Sequence, residues 1–213
     1  MPARPPANGP TAAVFDLGGV LIDWDPRYLY RQLIPDEAEM ERFLRDVVSP
    51  AWNLEHDRGR SLAEGVALLS REHPDQAALI AAFHERWPET LGGAIESTVE
   101  VLAEVRASGV RLLALTNWSA ETWPIGVARF PFLAWFEGVV VSGQERLVKP
   151  DPALFRRLIE RYGLDPTRTV YIDDLAANVA VAADLGFRAL RFRDAATLRD
   201  ELVEAGLLPA RAR

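Results

Sequence analysis

The chain has 213 residues, 49% apolar and 26% charged, a mix that fits a packed globular protein of one or two domains and excludes a disordered or fibrous one. Its formal charge of -7, with no basic block to offset it, removes the phosphate-backbone attraction that nucleic-acid binding needs. The absence of cysteine excludes disulfides, a thiolate nucleophile and thiolate-bound zinc, and it fits a reducing cytoplasm.

Residues 1–10, with four prolines and no apolar run, read as a loose tail rather than a signal peptide. No stretch reaches the roughly eighteen uninterrupted apolar residues of a membrane span, so a soluble protein is expected. Residues 12–16 (AAVFD) are a short apolar run ending on a carboxylate, followed by Leu17, Gly18 and Gly19, which predicts a buried strand and a turn. Residues 110–115, 138–141, 169–172 and 188–192 repeat the pattern and predict further strands. Between and after them, residues 95–107, 152–162, 176–185 and 196–203 place apolar side chains three and four apart, the mark of amphipathic helices. Strands alternating with helices predict an α/β fold with a doubly wound parallel sheet, because parallel strands need crossover connections.

Residues 25–94 break this alternation. They carry helical patterns at 37–48, 61–70 and 76–87 and no convincing strand. They predict a helical cap inserted after the first strand, over the strand ends where ligands of open α/β sheets bind. The expected division is therefore a tail over 1–10, a core over 11–24 and 95–213, and a cap over 25–94.

Four groups fall at or beyond predicted strand ends: Asp16 in VFDLGGV, Thr116 and Asn117 in ALTNWS, Lys149 in LVKPDPALF, and Asp173 with Asp174 in YIDDLAANV. Parallel strands share one direction, so all four gather at one edge of the sheet. Lys149 is the single lysine among 24 basic residues, and its compact ammonium suits simultaneous contact with a carboxylate and a phosphate. Adjacent carboxylates after an apolar strand call for a cation, and magnesium accepts a few carboxylates while keeping other positions for water and phosphate. An acidic pair opening a helix is the alternative, since the macrodipole favours it there.

Asp16, Thr116, Lys149 and the Asp173–Asp174 pair, in this order, resemble the four motifs of the haloacid dehalogenase superfamily, over about residues 12–205. The resemblance implies a two-step phosphoryl transfer in which Asp16 attacks phosphorus and water hydrolyses the aspartyl phosphate. It also implies that Thr116 and neighbouring backbone N–H groups hold phosphate oxygens and that Lys149 positions and charge-balances Asp16. Magnesium would be held by Asp16, the Gly18 carbonyl and Asp174, with Asp173 assisting directly or through water. Gly19, Asn117 and Lys149 join Thr116 as expected substrate contacts. The implied partner is a small phosphorylated substrate; the charge and hydropathy above predict neither nucleic acid nor membrane as a partner, and a monomer or homodimer is expected.

Phosphatases of this superfamily usually carry a second aspartate two residues after the nucleophile, where this chain has Gly18. Three readings follow. The acid comes from elsewhere, with Asp23, Asp25, Glu55, His56 and Asp57 as candidates. Or the substrate needs little acid help, as sugar 1-phosphates do; the DLGGV form resembles the glucose-1-phosphatase-like branch and favours sugar phosphates. Or the protein is not a phosphatase: it is a metal-independent 2-haloacid dehalogenase, or a weakly active member that binds a phosphorylated ligand or a protein. Against dehalogenation, the adjacent aspartates without a metal would repel a carboxylate substrate. Trp52, Asn53, His56 and Arg60 read either as a cap loop facing the site or as a surface loop with one packed tryptophan, and His73 and His84 as surface or helix-side residues. Trp118 and Trp123 read as packing under the cap or at a dimer contact.

Overall fold

The computed structural model of the protein describes residues 9–210. Of the expected tail, residues 1–8 lie outside the described residues; the Gly9 carbonyl accepts a hydrogen bond from the Arg168 guanidinium.

Seven strands are present among the described residues: β1 (Ala12–Phe15), β2 (Ile22–Trp24), β3 (Leu91–Ala94), β4 (Arg111–Thr116), β5 (Gly138–Val141), β6 (Thr169–Asp173) and β7 (Arg188–Arg191). Five form one sheet in the order β5-β4-β1-β6-β7, every neighbouring pair parallel. The doubly wound parallel sheet expected from the alternating pattern is the observed fold. The chain runs from β1 outward to β4 and β5, then returns to the other side for β6 and β7. The direction of winding therefore reverses at β1, and a crevice opens beyond its carboxyl end.

Strand β1 is buried along its whole length, and its side chains alternate between two apolar clusters. Ala13 and Phe15 face helices α6 (Glu96–Ala107) and α11 (Ala195–Glu204) through Leu102, Val105, Leu198 and Leu202. Ala12 and Val14 face helices α9 (Pro152–Tyr162) and α10 (Ala176–Asp184) through Leu154, Phe155, Leu158 and Ala182. Burial on both faces is why these strands read as continuous apolar runs rather than alternating ones. The helices start where their chemistry directs. Asp151 caps α9 by accepting from Ala153 N–H, Pro152 opens the first turn, and Gly163 ends the helix in the left-handed region at φ 57°.

Between β2 and β3 the chain forms α1 (Arg27–Tyr30), α2 (Glu37–Asp46), α3 (Pro50–Asp57), α4 (Leu62–Glu72) and α5 (Ala77–Glu85). Short helices α7 (Trp123–Arg129) and α8 (Ser142–Glu145) complete the core. Two features correct the sequence reading. Residues 25–94 do contain a strand: β3 pairs antiparallel with β2, Ile22 opposite Ala94 and Trp24 opposite Leu91, as a ribbon joining insertion to core. It was illegible because a three-residue partner and a Gly-Gly step carry no period-two signal. The segment WNLEHDRGR is not a loop either. Ser49 accepts from Trp52 N–H and Pro50 takes the first turn, so residues 50–57 wind into α3. The apolar residues of the insertion, including Leu29, Met40, Phe43 and Trp52, join the same cluster as Phe15.

Candidate active site

Asp16 directly follows β1, Thr116 ends β4 and Asp173 ends β6, so the sheet register sets three of the site residues side by side. Lys149 comes from the loop after α8 and is 2% exposed. Its Nζ lies 2.8 Å from Asp16 Oδ2 and 2.7 Å from Asp173 Oδ2. Asn117 fixes that loop: its amide donates to the Lys149 carbonyl at 3.1 Å, and its side-chain oxygen accepts from Lys149 N–H at 2.8 Å. Both polar ends of Asn117, which is expected at the substrate, thus also hold Lys149.

Asp173 is wholly buried and surrounded by donors. Its Oδ2 accepts from Lys149 Nζ, from Tyr171 OH at 2.6 Å and from Asn178 Nδ2 at 3.1 Å; its Oδ1 accepts from Leu175 N–H and Asn178 Nδ2, both at 2.9 Å. Burial pushes this carboxyl up, but Lys149, Tyr171 and the Leu175 N–H outweigh it and hold it below the ordinary range. Most of its lone pairs are thus engaged within the protein. Asp174 differs. Among the described residues no side chain donates to its carboxylate, and burial followed by the neighbouring Asp173 charge raises it.

Asp16 is 7% exposed. Its Oδ1 accepts from Leu17 N–H at 2.7 Å and its Oδ2 takes the lysine, leaving each oxygen one lone pair in hand. Burial raises its carboxyl, Lys149 opposes this and Asp173 adds to it, so the net direction is up. For Lys149, burial favours the neutral amine, but the two carboxylates outweigh it and keep the ammonium charged.

Ligand atoms of Asp16, Asp173 and Asp174 all lie within 4.8 Å of one another. Three carboxylates share one ammonium, so the buried cluster is short of positive charge when all are ionised. A divalent cation would remove that deficit, and a set of hard oxygen donors suits magnesium. The residues fit such an ion. Gly19 makes room at its edge: its backbone is left-handed at φ 72°, and a Cβ there would stand 2.8 Å from Asp174 Oδ2. The Gly19 N–H donates to the Ile22 carbonyl at 2.9 Å, which closes the turn after β1.

Beyond this charged floor lies a cavity walled by Gly18, Asn117, Trp118, Ser119 and Thr122 of the core and by Trp24, Asn53, Asp57, Leu62 and Trp87 from the ribbon and insertion. Helix α3 turns Trp52 and His56 inward, where their rings meet at 4.4 Å, and its opposite edge presents Asn53 and Asp57 to the cavity. Of the five acids considered from sequence, Asp57 alone lines this cavity. Asp23 accepts from Tyr28 OH at 2.5 Å, Asp25 from Arg27, Glu55 pairs with Arg58 and Arg60, and His56 is buried. Arg60 is thereby committed to Glu55. His84 is exposed and His73 half-buried, neither near the cluster. Trp118 is buried against Trp87 and the partly buried Trp123, and it also lines the cavity. The Trp24 indole Nε1 is buried with no partner among the described residues, and Trp24 stands at the cavity wall.

Residues 10–186 match the haloacid dehalogenase-like hydrolases. The chain belongs to this family. It is 27% identical over 178 residues to pyrophosphatase PpaX of Bacillus velezensis, covering 83% of this chain and 80% of that one. A sesquiterpene phosphatase of Aspergillus oryzae is 24% identical over 193 residues, covering 86% and 90%. Acyl-CoA dehydrogenase family member 10 of Mus musculus is 26% identical over 197 residues; these cover 84% of this chain but only 18% of the mouse protein. Among solved structures, a family enzyme of Bacteroides thetaiotaomicron in complex with magnesium and inorganic phosphate has a TM-score of 0.67 at 24% identity, covering 87% of this chain and 95% of that one. An L-2-haloacid dehalogenase of Xanthobacter autotrophicus has a TM-score of 0.65 at 18% identity, covering 93% and 84%. At these identities the two structural likenesses speak for the fold alone.

Proposed function

We propose that the protein is a magnesium-dependent phosphohydrolase of a small phosphate monoester, with sugar phosphates the favoured class. The observation that carries this reading is Asp16 at the winding reversal, bound by Lys149 at 2.8 Å and within 4.8 Å of Asp174. Asp16 uses its remaining lone pair to attack phosphorus, and the aspartyl phosphate is then hydrolysed. Lys149, fixed by Asn117 and braced by Asp173, keeps the nucleophile oriented and balances charge on the phosphoryl oxygens. Thr116, the last residue of β4, would offer its hydroxyl to a phosphoryl oxygen. Asp16, Asp174 and the Gly18 carbonyl would hold magnesium, which supplies positive charge where the phosphoryl oxygens gain negative charge. Sugar phosphates suit the cavity because indoles of Trp24, Trp87 and Trp118 meet the C–H faces of a sugar, while Asn53 and the unpaired Trp24 Nε1 meet its hydroxyls.

Dehalogenation is the less favoured reading, since the Asp173–Asp174 pair opposes a carboxylate substrate. The deciding experiment measures hydrolysis of 4-nitrophenyl phosphate and a panel of sugar phosphates with magnesium. Turnover is expected, with loss on EDTA treatment and a fall of roughly 10⁴-fold or more in Asp16→Asn. Chloride release from 2-chloropropionate without metal, or full activity in Asp16→Asn, would overturn the proposal.

A further inference from the structure

Cleavage of an unactivated phosphate ester leaves an alkoxide that needs a proton, and the cavity walls offer one source. Among the described residues lining it, Asp57 is the only titratable side chain; its companions are Gly18, three indoles, two amides, two hydroxyls and Leu62. A methyl added at Gly18 would meet no atom within 4 Å, so the space beside the nucleophile on that side is open rather than filled by protein. We infer that Asp57 supplies the proton to the leaving oxygen and then takes one from the attacking water. This rests on the phosphohydrolase reading and assigns it a donor.

The geometry ties Asp57 to the core rather than leaving it to drift with the insertion. Its carbonyl accepts from Ser142 Oγ at 2.6 Å, and the same hydroxyl accepts from Trp118 N–H at 2.9 Å. Its carboxylate accepts from Asn53 Nδ2 at 3.2 Å, one helical turn earlier on α3. As the last residue of α3 it sits at the negative end of the helix dipole, which disfavours its ionised form. Burial pushes the Asp57 carboxyl up to about 7, against opposing pulls from the Ser119 backbone N–H and the Lys149 charge. A carboxyl near neutrality can both give and accept a proton at ordinary pH.

The step balances. As Asp16 Oδ bonds to phosphorus, the bond from phosphorus to the leaving oxygen breaks with its electron pair on that oxygen, and the Asp57 proton converts it to a free hydroxyl. The resulting Asp57 carboxylate removes a proton from water, whose oxygen attacks the aspartyl phosphate. The bond from phosphorus to Asp16 then breaks, which returns the Asp16 carboxylate, the Asp57 acid and inorganic phosphate.

The test compares wild type, Asp57→Asn and Asp16→Asn on phenyl, 4-nitrophenyl and 2,4-dinitrophenyl phosphates, in order of falling leaving-group basicity. Asp57→Asn is expected to lose about 10² to 10⁴-fold in kcat/KM on phenyl phosphate and less than about tenfold on the dinitrophenyl ester, which leaves without a proton. The ratio is taken within one protein, so partial unfolding of the variant cancels from it. An equal loss on all three esters, or none on phenyl phosphate, overturns the assignment of Asp57 while leaving the phosphohydrolase reading intact. Dinitrophenyl turnover that survives Asp16→Asn strikes the phosphohydrolase reading instead, and the donor assignment with it.

Discussion

The floor and the roof of the site are built on opposite plans. On the floor, at the sheet edge, most groups have several partners, Asp174 excepted: Asp173 receives four donor groups, Lys149 bridges two carboxylates, and Asn117 grips the lysine's backbone from both sides. The roof, drawn from the ribbon and insertion, is mostly apolar and loosely satisfied, with Trp24 Nε1 and His56 Nε2 buried without partners among the described residues. The difference teaches where rigidity is placed. Preorganised charge is fixed where phosphorus would react, and adaptable aromatic surface is left where the variable part of a substrate would sit.

The sharpest way to break this contrast is on the floor. Lys149→Met keeps the bulk of the side chain and strands Asp16 and Asp173 as buried carboxylates without a counter-charge. Urea denaturation without divalent cations is expected to find a loss of about 3–5 kcal/mol. A loss below about 1 kcal/mol would mean that the floor is not held together by this charge.

A smaller effect is expected in the roof, where packing rather than charge is at stake. Gly65 of α4 lies against the His56 ring with no space for a Cβ, so Gly65→Ala forces the imidazole and α3 apart. The expected cost is about 1–3 kcal/mol, read as a lower unfolding midpoint. An unchanged midpoint would show that α3 shifts freely and that the position of Asp57 is not fixed from behind.

The gentlest probe of the roof is pH. Burial holds the His56 imidazole below its ordinary range, so the unfolded chain binds a proton there more readily than the folded one. Its contribution to stability is complete above the unfolded pKa of about 6.5 and is lost as pH falls from there through the folded value. Subtracting the stability-pH curve of His56→Gln from that of wild type should leave a component of this sign. A flat difference between pH 7 and 5 would show that His56 protonates equally well in both states.

The same contrast decides what could be read from the amino acids. The floor was legible because a strand buried on both faces is a plain apolar run, and its polar successor marks the strand end: Asp16 after AAVF, Thr116 after RLLAL and Asp173 after TVYI. What each polar residue does there was less legible. Asn117, Gly19 and Asp173 were expected at the substrate or the ion, and their hydrogen bonds add duties that the sequence did not reveal: holding Lys149, the turn and the charge balance. The roof was harder still. Ribbon strands of three and four residues have no period to detect, and α3 hides its helical pairing in mixed chemistry, Trp52 with His56 inward and Asn53 with Asp57 outward. The serine-proline step before Trp52 was the available signal, since it is a helix start. Without a helix there, nothing could choose Asp57 from its four rivals.

The single lysine carries a last consequence. All other cationic side chains are guanidinium or imidazole groups, and the one primary amine among the side chains lies sealed between two carboxylates. While the protein stays folded, reagents and enzymes that acylate lysine find no side-chain target on its exterior. Labelling at that amine therefore reports the moment the charged floor comes open to solvent.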